Sequence, residues 1–579
     1  MNQEHSKKLT ALVLISLISM VMMGKLFLLH STSINQDEFY YLSRVHDDMN
    51  NRLTDPFQNF HVHFFQWVNA VGQNEVTQIK ACRMVMFLFF SGTCLFIYLI
   101  GKRFTDRQSA LFSVLCYLCF MFTLVNGAGF RSDTLATFFF LFSLYLFFIK
   151  DSSVLAQAIS GLAMAVAILF TIKSAIYMVV FLLLFFAKLI LSRQYKQTLS
   201  CGSIFFMAFF VGVILFYQLH VQSTLPPTGP ETVMSTAEQV KTLGHKAENS
   251  YSTFISIKNI FPQFGIFKLS LQLDWRIWLF LFAGFFINLY EIFKNPVAFK
   301  TIALLVLFVP MLSPLFYKNA FPYFYVFMIP TAIILCGVAI RKVSENTPPF
   351  FFMMFVTLAG SLIFVNIFYI SYWSYAHVGT RNFQEQTLDV IHQVFPYPVP
   401  YIDGCAMVAS FPNAGFFMSS AGMKGYLKRN TPVMKTLLEK RHPLFLLADV
   451  PHLNLNSETP PVSATGLALL QEDWDTLRSN YTHHWGNIWI IGKQFQFTRK
   501  SEEQTFDILI PGQYSISSTE GIYIDGRLVH HNDSIYLSNG SYTIKADKPN
   551  DLVKLKIGAH PFKPDKEPEN EKLFLGSFM

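Results

Sequence analysis

Long apolar segments, each about as long as a bilayer is thick, determine what this 579-residue chain can fold into. The hydrocarbon core of a membrane is about 30 Å thick, and a helix needs roughly 20 apolar residues to cross it. Such segments predict about eleven transmembrane helices, near residues 9–29, 84–101, 109–126, 134–149, 154–172, 174–191, 203–220, 274–290, 301–317, 321–340 and 350–372. Only 14% of the residues are charged, against about 25% in soluble domains. The first segment is long enough to span, and no clear small-residue cleavage site follows it. We therefore predict a retained helix rather than a signal peptide.

The basic residues indicate how these helices are oriented. Cytoplasmic loops of membrane proteins are enriched in Lys and Arg, and alternate loops of this chain hold Lys7 and Lys8; Lys102, Arg103 and Arg107; Lys150; Lys188, Arg193 and Lys196; Lys294 and Lys300; and Arg341 and Lys342. The N-terminus is therefore predicted inside, and everything after about residue 375 outside. Because topology explains the net charge of +8, no nucleic-acid partner is predicted.

The predicted division of the chain is a membrane domain over residues 1–375 and two soluble modules. Its long outer loops are residues 31–83 and 221–273. Residues 376–495 alternate strand-like and helical runs, which indicates a small α/β module. Residues 496–579 alternate with period two, and Asp525-Gly526 and Asn539-Gly540 indicate hairpins within 521–529 and 534–546, beside a third over 506–516. We expect a β-sandwich-like module ending in a loose charged tail at 563–572.

Two adjacent carboxylates, Asp37 and Glu38, open the first outer loop. Adjacent acidic residues at a membrane surface are often plain solvated charge. Behind them, Phe39, Leu42, Val45 and Met49 recur at helical spacing, which predicts an amphipathic helix lying on the membrane surface. The pair is therefore predicted to sit at the depth where a lipid-borne substrate emerges from the headgroups.

Four basic residues lie at the predicted outer side of the membrane, where Lys and Arg are uncommon. Arg131 and Lys318 occupy short outer turns, Lys173 separates the fifth and sixth spans, and Arg83 lies at the outer edge of the second. Snorkelling explains any one such residue. Several on one face better fit a site for an anion such as the phosphate of a lipid-linked substrate.

Two histidines, His61 and His63, lie later in the same loop. At this spacing they share one face of a strand and could bind a divalent metal, but no third ligand stands at a suitable spacing. Hydrogen bonding to substrate or to the loop backbone is the favoured interpretation.

The sequence resembles the GT-C superfamily of integral membrane glycosyltransferases, in particular the protein O-mannosyltransferases and lipid A aminoarabinose transferase. The resemblance covers roughly residues 8–375, and its motifs are Asp37-Glu38 with Tyr40-Tyr41, the His-containing segment, Arg83, Phe130-Arg131-Ser132-Asp133, Thr171-Ile172-Lys173, and Tyr317-Lys318 with Pro322-Tyr323. Relatives often have His or Lys followed by Pro-Pro where this chain has His61-Val62-His63.

The resemblance implies a polyprenyl-phosphate sugar as donor and an acceptor hydroxyl on the non-cytoplasmic face. A phosphate leaves readily once cations stabilise it, so one carboxylate suffices as general base. The expected base is Asp37, with Glu38 as substitute or orienting partner. Arg131, Lys173, Lys318 and Arg83 would bind the phosphate, and the remaining substrate contacts would come from His61, His63, Asp133, Tyr40 and Tyr323. Because no nucleotide diphosphate takes part, no cofactor is required.

Two other functions fit parts of the pattern. A transporter or flippase for a lipid-linked anion would use the same cations, although the chain lacks the internal repeat common in transporters. An assembly scaffold would depend on the C-terminal domain and not on Asp37. Under the transferase hypothesis the acceptor is a protein, a glycolipid or a glycan. The expected location is a bacterial inner membrane, with the C-terminal domain in the periplasm and undecaprenyl phosphate as carrier.

The orientation gives the first prediction. A reporter fused after Met579 is expected to behave as periplasmic or lumenal, because about eleven crossings carry the chain outward. The matched control is a fusion after Asn346, in a predicted inner loop, which should behave as cytoplasmic. Activity of the Met579 fusion on the cytoplasmic side would overturn the orientation.

Overall fold

A computed structural model describes residues 3–149, 153–191, 195–222, 224, 255–256, 260–295, 298–463, 466–499, 502–519, 521–546, 552–558, 561–569 and 572–575. Its first part is helical. The helices are α1 (Gln3–Ser31), α2 (Gln36–Met49), α3 (Val62–Phe65), α4 (Glu75–Phe104), α5 (Arg107–Cys119), α6 (Met121–Asn126), α7 (Ser132–Ile149), α8 (Val154–Phe170), α9 (Ala175–Leu191), α10 (Tyr195–Gln222), α11 (Phe264–Leu273), α12 (Trp275–Lys294), α13 (Phe299–Phe308), α14 (Pro322–Ala332), α15 (Ile334–Asn346), α16 (Pro349–Phe364) and α17 (Phe368–Val394).

Every predicted span coincides with helix, but the spans differ in length. Among the described residues, six helices are long and apolar enough to cross a membrane, and the bent pair α14 and α15 makes a seventh. The other predicted spans are shorter apolar helices or the broken pair α5 and α6. The polytopic helical fold is confirmed, and the count of eleven stays a prediction. Most of the predicted outer loop 221–273 lies outside the described residues, and its last part forms α11, which the sequence did not predict.

The break between α5 and α6, at Phe120, is held by polar groups at membrane depth. Both carboxylate oxygens of Asp274 accept from the backbone N–H of Met121, at 3.1 and 3.0 Å. Asn366 donates to Asp274 at 2.8 Å. Lys25 donates through Nζ to the carbonyls that end α6, those of Thr123 at 2.9 Å and Leu124 at 2.6 Å. A helix break in the bilayer needs such partners for the backbone groups it frees.

The C-terminal region is rich in β-structure, as predicted. After β1 (Tyr401–Ile402) come α18 (Ser420–Arg429), α19 (Met434–Arg441), β2 (Phe445–Leu447), α20 (Gln471–Asn480), β3 (Tyr481–Trp485), β4 (Ile488–Gln496), β5 (Glu503–Ile508), β6 (Gly512–Ser517), β7 (Ile522–Ile524), β8 (Arg527–Val529), β9 (Ser534–Leu537), β10 (Gly540–Ala546) and β11 (Leu552–Ile557). One sheet has the order β1-β2-β4-β11-β6-β9, with β3 also on β4, and the second has the order β5-β10-β7-β8. Residues of both sheets share one core.

Two of the three predicted hairpins are wrong, although their strands exist. β5 and β6 lie in different sheets, as do β9 and β10, so their connections are corners between sheets. The third prediction is confirmed: β7 pairs with β8, and Asp525 and Gly526 both have positive φ, as a tight hairpin turn requires. Turn residues predict where the chain reverses direction, but they do not predict which strands pair with each other in a sheet.

The predicted domain division stays a prediction. Helix α17 continues through residue 375 to Val394. Strand β4 pairs with β2 and β3 through residues 488–491 and with β11 through residues 492–496, so the two predicted soluble modules share a sheet. The loose tail over 563–572 stays a prediction; just beyond it, Leu573 is buried and Phe574 packs against Phe39 of α2.

The close packing of α12 on α15 gives a stability prediction. A Cβ at Gly284 would lie 1.9 Å from the carbonyl oxygen of Leu335. Gly284→Ala is expected to lower the free energy of unfolding by about 1–3 kcal/mol, because backbone must move to relieve the clash. Thermal unfolding in detergent measures this. Gly265→Ala is the control, since nothing lies within 4 Å of a Cβ there, and an equal loss in both variants would contradict the account.

Candidate functional site

Helix α2 begins with a capping box that fixes its first turn. The Asn35 side chain accepts from the N–H of Asp37 at 3.0 Å, and Glu38 accepts from the N–H of Asn35 at 3.0 Å. Carboxylates in a first helical turn also suit the helix dipole. The predicted amphipathic helix therefore exists. Its apolar residues are buried within the protein rather than in the membrane surface, namely Phe39, Leu42 and Val45.

Glu38 forms a buried two-pronged ion pair with Arg83 of α4. The distances are 2.8 Å from Nε to Oε1 and 2.6 Å from Nη2 to Oε2. The N–H of Phe130 adds a hydrogen bond to Oε1 at 2.8 Å. Burial alone would raise the pKa of Glu38, but the Arg83 charge and these hydrogen bonds outweigh it, and the pKa lies below its ordinary value. Glu38 is thus held as a carboxylate with both oxygens occupied.

Asp37 opens a chain of alternating charges that leads away from Glu38. Arg131 pairs with Asp37, and its Nε lies 3.5 Å from Asp133, which accepts from Lys173 Nζ at 2.8 Å. The side chain of Asp37 is 22% exposed, whereas those of Arg131 and Asp133 are 8% and 3% exposed. Of the two adjacent carboxylates, Asp37 and Glu38, Asp37 is therefore the one that a substrate can reach. Arg131 and Lys173, far apart in sequence, thus meet at Asp133, and their predicted role as a shared anion site stays a prediction.

Tyr323 covers this charge chain from α14. Its ring centroid lies 3.7 Å from the Arg131 guanidinium and 5.0 Å from Lys173 Nζ. An aromatic face attracts a cation in this position. Tyr40 instead packs on Phe417 of the C-terminal region, with ring centroids 4.6 Å apart. The carbonyl of Lys318 accepts from Gln263 at 2.8 Å, and the predicted place of its side chain beside Arg131 and Lys173 stays a prediction.

The two histidines have different partners. His61 is buried, its Nε2 lies 3.2 Å from the carbonyl of Tyr41, and burial lowers its pKa to about 4, so it is neutral. His63 Nε2 lies 2.8 Å from Nδ1 of His220, whose Nε2 faces the carbonyl of Pro56. The predicted hydrogen bonding of these histidines to the loop backbone fits the contact of His61 with Tyr41. Binding of a divalent metal by His61 and His63 stays a prediction.

One group of side chains among the described residues is close enough to share a metal ion. The ligand atoms of Asp403, Cys405 and Asp449 all lie within 4.8 Å of one another. Burial raises the pKa of Asp449 to about 6. Its oxygens accept from the N–H of Gly404 and from the Cys405 thiol, each at 2.8 Å, and Asp403 accepts from the N–H groups of Ala406 and Met407. These bonds account for the cluster as the framework of the loop that follows β1.

A chamber of about 290 Å³ has Arg131 in its wall, but neither Asp37 nor Lys173. Its wall joins the first outer loop, α1, α17 and the C-terminal region, with Ser33, Asn35, Glu38, Arg83, Arg131, His377, Asp449, Pro451 and Phe574 among its lining residues. Ser33 Oγ and His377 Nδ1 are 2.7 Å apart. The chamber brings polar groups of the C-terminal region next to the charged residues of the membrane part.

Sequence reasoning missed His377, Asp449 and Phe574 as parts of this site. Their only signal in sequence was indirect. His377 is a polar residue just beyond the last predicted span, and Phe574 is an apolar residue in an otherwise charged tail. Asp449 follows an apolar strand-like run, where a buried carboxylate marks the end of β2.

Comparisons with known proteins agree with the predicted resemblance. Residues 63–219 match the family model described as dolichyl-phosphate-mannose-protein mannosyltransferase. The structure is similar to the archaeal oligosaccharyltransferase AglB from Archaeoglobus fulgidus, solved with an inhibitory peptide and a dolichol-phosphate. That match has a TM-score of 0.53 at 11% identity, over 95% of this chain and 97% of that chain. No curated protein matches this chain in sequence.

A second solved structure has the same fold. ArnT from Cupriavidus metallidurans, bound to undecaprenyl phosphate, matches with a TM-score of 0.51 at 14% identity, over 75% of this chain and 93% of that chain. The resemblance to GT-C membrane glycosyltransferases and the predicted fold are confirmed. The predicted enzyme class, a polyprenyl-phosphate-dependent glycosyltransferase, is the class of the matching family and of these neighbours.

The Glu38–Arg83 pair predicts a specific dependence of stability on pH. Glu38→Gln should lower the free energy of unfolding by about 3–5 kcal/mol, because Arg83 is left buried without its counter-charge. The pKa of Glu38 is lower in the folded protein than in the unfolded chain. Its contribution is therefore complete above the unfolded value and is lost as pH falls through the folded one.

Thermal unfolding at a series of pH values checks this. The loss of stability in acid should be steeper in the wild type than in Glu38→Gln. Glu4→Gln is the control, because the Glu4–Lys8 pair is exposed and of little weight. If acid destabilised the wild type and Glu38→Gln equally, Glu38 would not carry the effect.

Proposed function

We propose that this protein transfers a sugar from a polyprenyl-phosphate donor to an acceptor hydroxyl on the non-cytoplasmic face of the membrane. The observation that carries the proposal is the chain of ion pairs from Asp37 through Arg131 and Asp133 to Lys173. It sets the partly exposed carboxylate of Asp37 beside the buried guanidinium of Arg131, with the half-buried Lys173 next along. In this arrangement the candidate base, Asp37, directly contacts Arg131, a residue of the candidate anion site.

The donor phosphate is proposed to bind at Arg131 and Lys173, with Lys318 as a third member. A guanidinium and an ammonium supply charge-assisted hydrogen bonds to phosphate oxygens. Asp133 touches both cations and keeps them together, so its role is to orient them. Arg83 was a fourth candidate, but its guanidinium already donates to Glu38 and to carbonyls of the loop before α2. We assign Arg83 to positioning.

Transfer then needs one proton acceptor. As the acceptor oxygen forms its bond to the anomeric carbon, the bond from that carbon to the phosphate oxygen breaks, and polyprenyl phosphate leaves with the electron pair. The acceptor's proton passes to Asp37. Arg131 pairs with Asp37 before the donor arrives, and a bound phosphate competes for that guanidinium, which frees the carboxylate for the proton. The cations stabilise charge that grows on the phosphate, so the proposal requires no metal or other cofactor.

The solved neighbours support the class of donor. ArnT was solved with undecaprenyl phosphate and AglB with dolichol-phosphate. Both of these lipids are polyprenyl phosphates. We extend this to a carrier of the same class here. The proposed setting is a bacterial inner membrane, with the C-terminal region in the periplasm and undecaprenyl phosphate as the carrier.

Two substitutions separate base from phosphate site. Asp37→Asn is expected to lower turnover by about 10²–10⁴-fold, because an amide cannot take the proton. Binding of the polyprenyl phosphate should be at least as tight as in the wild type, because the phosphate no longer competes with a carboxylate for Arg131. Lys173→Ala should weaken lipid binding as well as turnover, because the phosphate is charged before and during the reaction. A transfer assay with purified protein and polyprenyl-phosphate sugar, together with a lipid-binding measurement, checks both.

Lys294→Ala is the matched control. Lys294 is exposed at the C-terminal end of α12, among the basic residues of the predicted cytoplasmic loops, so its loss should change neither turnover nor lipid binding. Near-normal turnover in Asp37→Asn would remove Asp37 as the base. Absence of any sugar transfer by the wild type, with lipid binding intact, would favour the transporter over the transferase.

A further inference from the structure

The C-terminal segment returns from the β-sheets to the membrane part as a strap, which comprises residues 561–569 and 572–575. His484 donates through Nε2 to the carbonyl of Phe562 at 2.7 Å, and Trp485 donates to that of Lys566 at 2.7 Å. The side chain of Glu567 accepts from the N–H of Gly486 at 3.0 Å. The strap is therefore fixed along strand β3 and the turn after it.

One buried side chain joins the end of the strap to the start of α2. Gln384 of α17 is fully buried. It accepts from the N–H of Ile34 at 2.9 Å and donates to the carbonyls of Ile34 and Leu573, each at 2.8 Å. Ile34 directly precedes Asn35, which caps α2 in front of Asp37. The strap, α17 and the carboxylate-bearing helix are thus held at one point.

Phe574 of the strap lies between two cavities. Its ring lies edge-on to that of Phe39 of α2, with centroids 6.0 Å apart. Phe574, Asp449 and Pro451 line both the chamber beside Arg131 and a groove of about 600 Å³ on the C-terminal region. The two cavities are neighbours, and Phe574 stands at their shared wall.

The groove has a lining that suits a hydroxyl-rich ligand. Side-chain amides, an imidazole and an indole line it, from Asn454, Asn456, Asn487, His483 and Trp489, together with the charged residues Asp449, Glu567 and Lys572. Carboxylates and ammonium groups also form hydrogen bonds with hydroxyl groups. Amides both donate and accept hydrogen bonds, as hydroxyl groups do, and flat aromatic rings offer apolar faces. Asn454 and Asn456 are exposed, so the groove opens to the solvent of the soluble side and not to the bilayer.

We propose that this groove binds the acceptor as a glycan chain, and that Phe574 is the specificity-determining residue that sets the width of its entry to the chamber. The inference rests on the proposed function and names its acceptor class. The chain's terminal hydroxyl passes Phe574 into the chamber, whose wall includes Gln36 and Arg131, the sequence neighbour and the ion-pair partner of Asp37. Its oxygen bonds to the anomeric carbon as the bond from that carbon to the phosphate oxygen breaks, and its proton passes to Asp37. Gln384 is a positioning residue, because it acts through Ile34 and the cap of α2.

The width of the entry is tested without any substrate. Ser33→Cys places a thiol in the chamber, and maleimides of increasing size report which reagents reach it, against protein with only the native cysteines. With Phe574 in place, only small reagents are expected to react. Phe574→Ala should abolish this size discrimination, whereas Phe562→Ala, in the same strap but away from the chamber, should retain it. Size discrimination that is unchanged in Phe574→Ala overturns the role of Phe574.

The ligand class is tested at the groove itself. Asn456→Cys in the full chain carries an environment-sensitive fluorophore and is titrated with a panel of neutral oligosaccharides, with a serine-rich peptide and with glycolipid micelles. A saturable response to oligosaccharides alone is expected, and it should be lost when Trp489→Ala is added. A response to peptide or glycolipid alone, or none to any oligosaccharide, overturns the glycan assignment.

A parallel measurement of polyprenyl-phosphate binding separates the two proposals. If the wild type does not bind the lipid, the proposed function fails whatever the groove does. If lipid binding is intact while the thiol and fluorescence results are negative, only the present inference fails.

Discussion

The outer half of this protein depends on one buried ion pair, Glu38 with Arg83. A charge that leaves water is tolerated only with a partner and with its remaining hydrogen bonds made. Glu38 meets that condition through Arg83, the N–H of Phe130 and the N–H of Asn35. These contacts join α4, the turn before α7 and the start of α2, so the position of α2 follows from a requirement of electrostatics rather than from packing alone.

Two neighbouring carboxylates consequently have different properties. Glu38 points into the protein and is saturated with donors, whereas Asp37, one residue earlier on the helix, points towards Arg131 and stays partly exposed. Adjacent residues on a helix are about 100° apart around its axis, since there are 3.6 residues per turn. The geometry of the helix therefore separates a saturated, structural acid from one that stays accessible, as the proposed role of Asp37 requires.

How much the sequence predicted depended on whether the signal was local. Arg131 and Lys173 were predicted as site residues because each lies in an outer turn, where Lys and Arg are uncommon, and this can be read from a single sequence. In the structure both contact Asp133. The roles of Glu38 and Arg83 were not separable from those of Asp37 and Arg131, because only the fold shows which acid meets which base. Two of the three hairpins failed for a similar reason: strand partners are set by distant residues, as is the docking of Phe574 on Phe39.

The junction at Gln384 also has a consequence for biosynthesis. The segment before α2 emerges early from the ribosome, yet Gln384, which holds its backbone, lies 350 positions later in the chain, and Leu573 follows still later. A nascent chain that has only its first helices therefore lacks the contacts that fix the start of α2. Under the proposed function, the site around Asp37 is complete only once the C-terminal region has been made and has folded against α17.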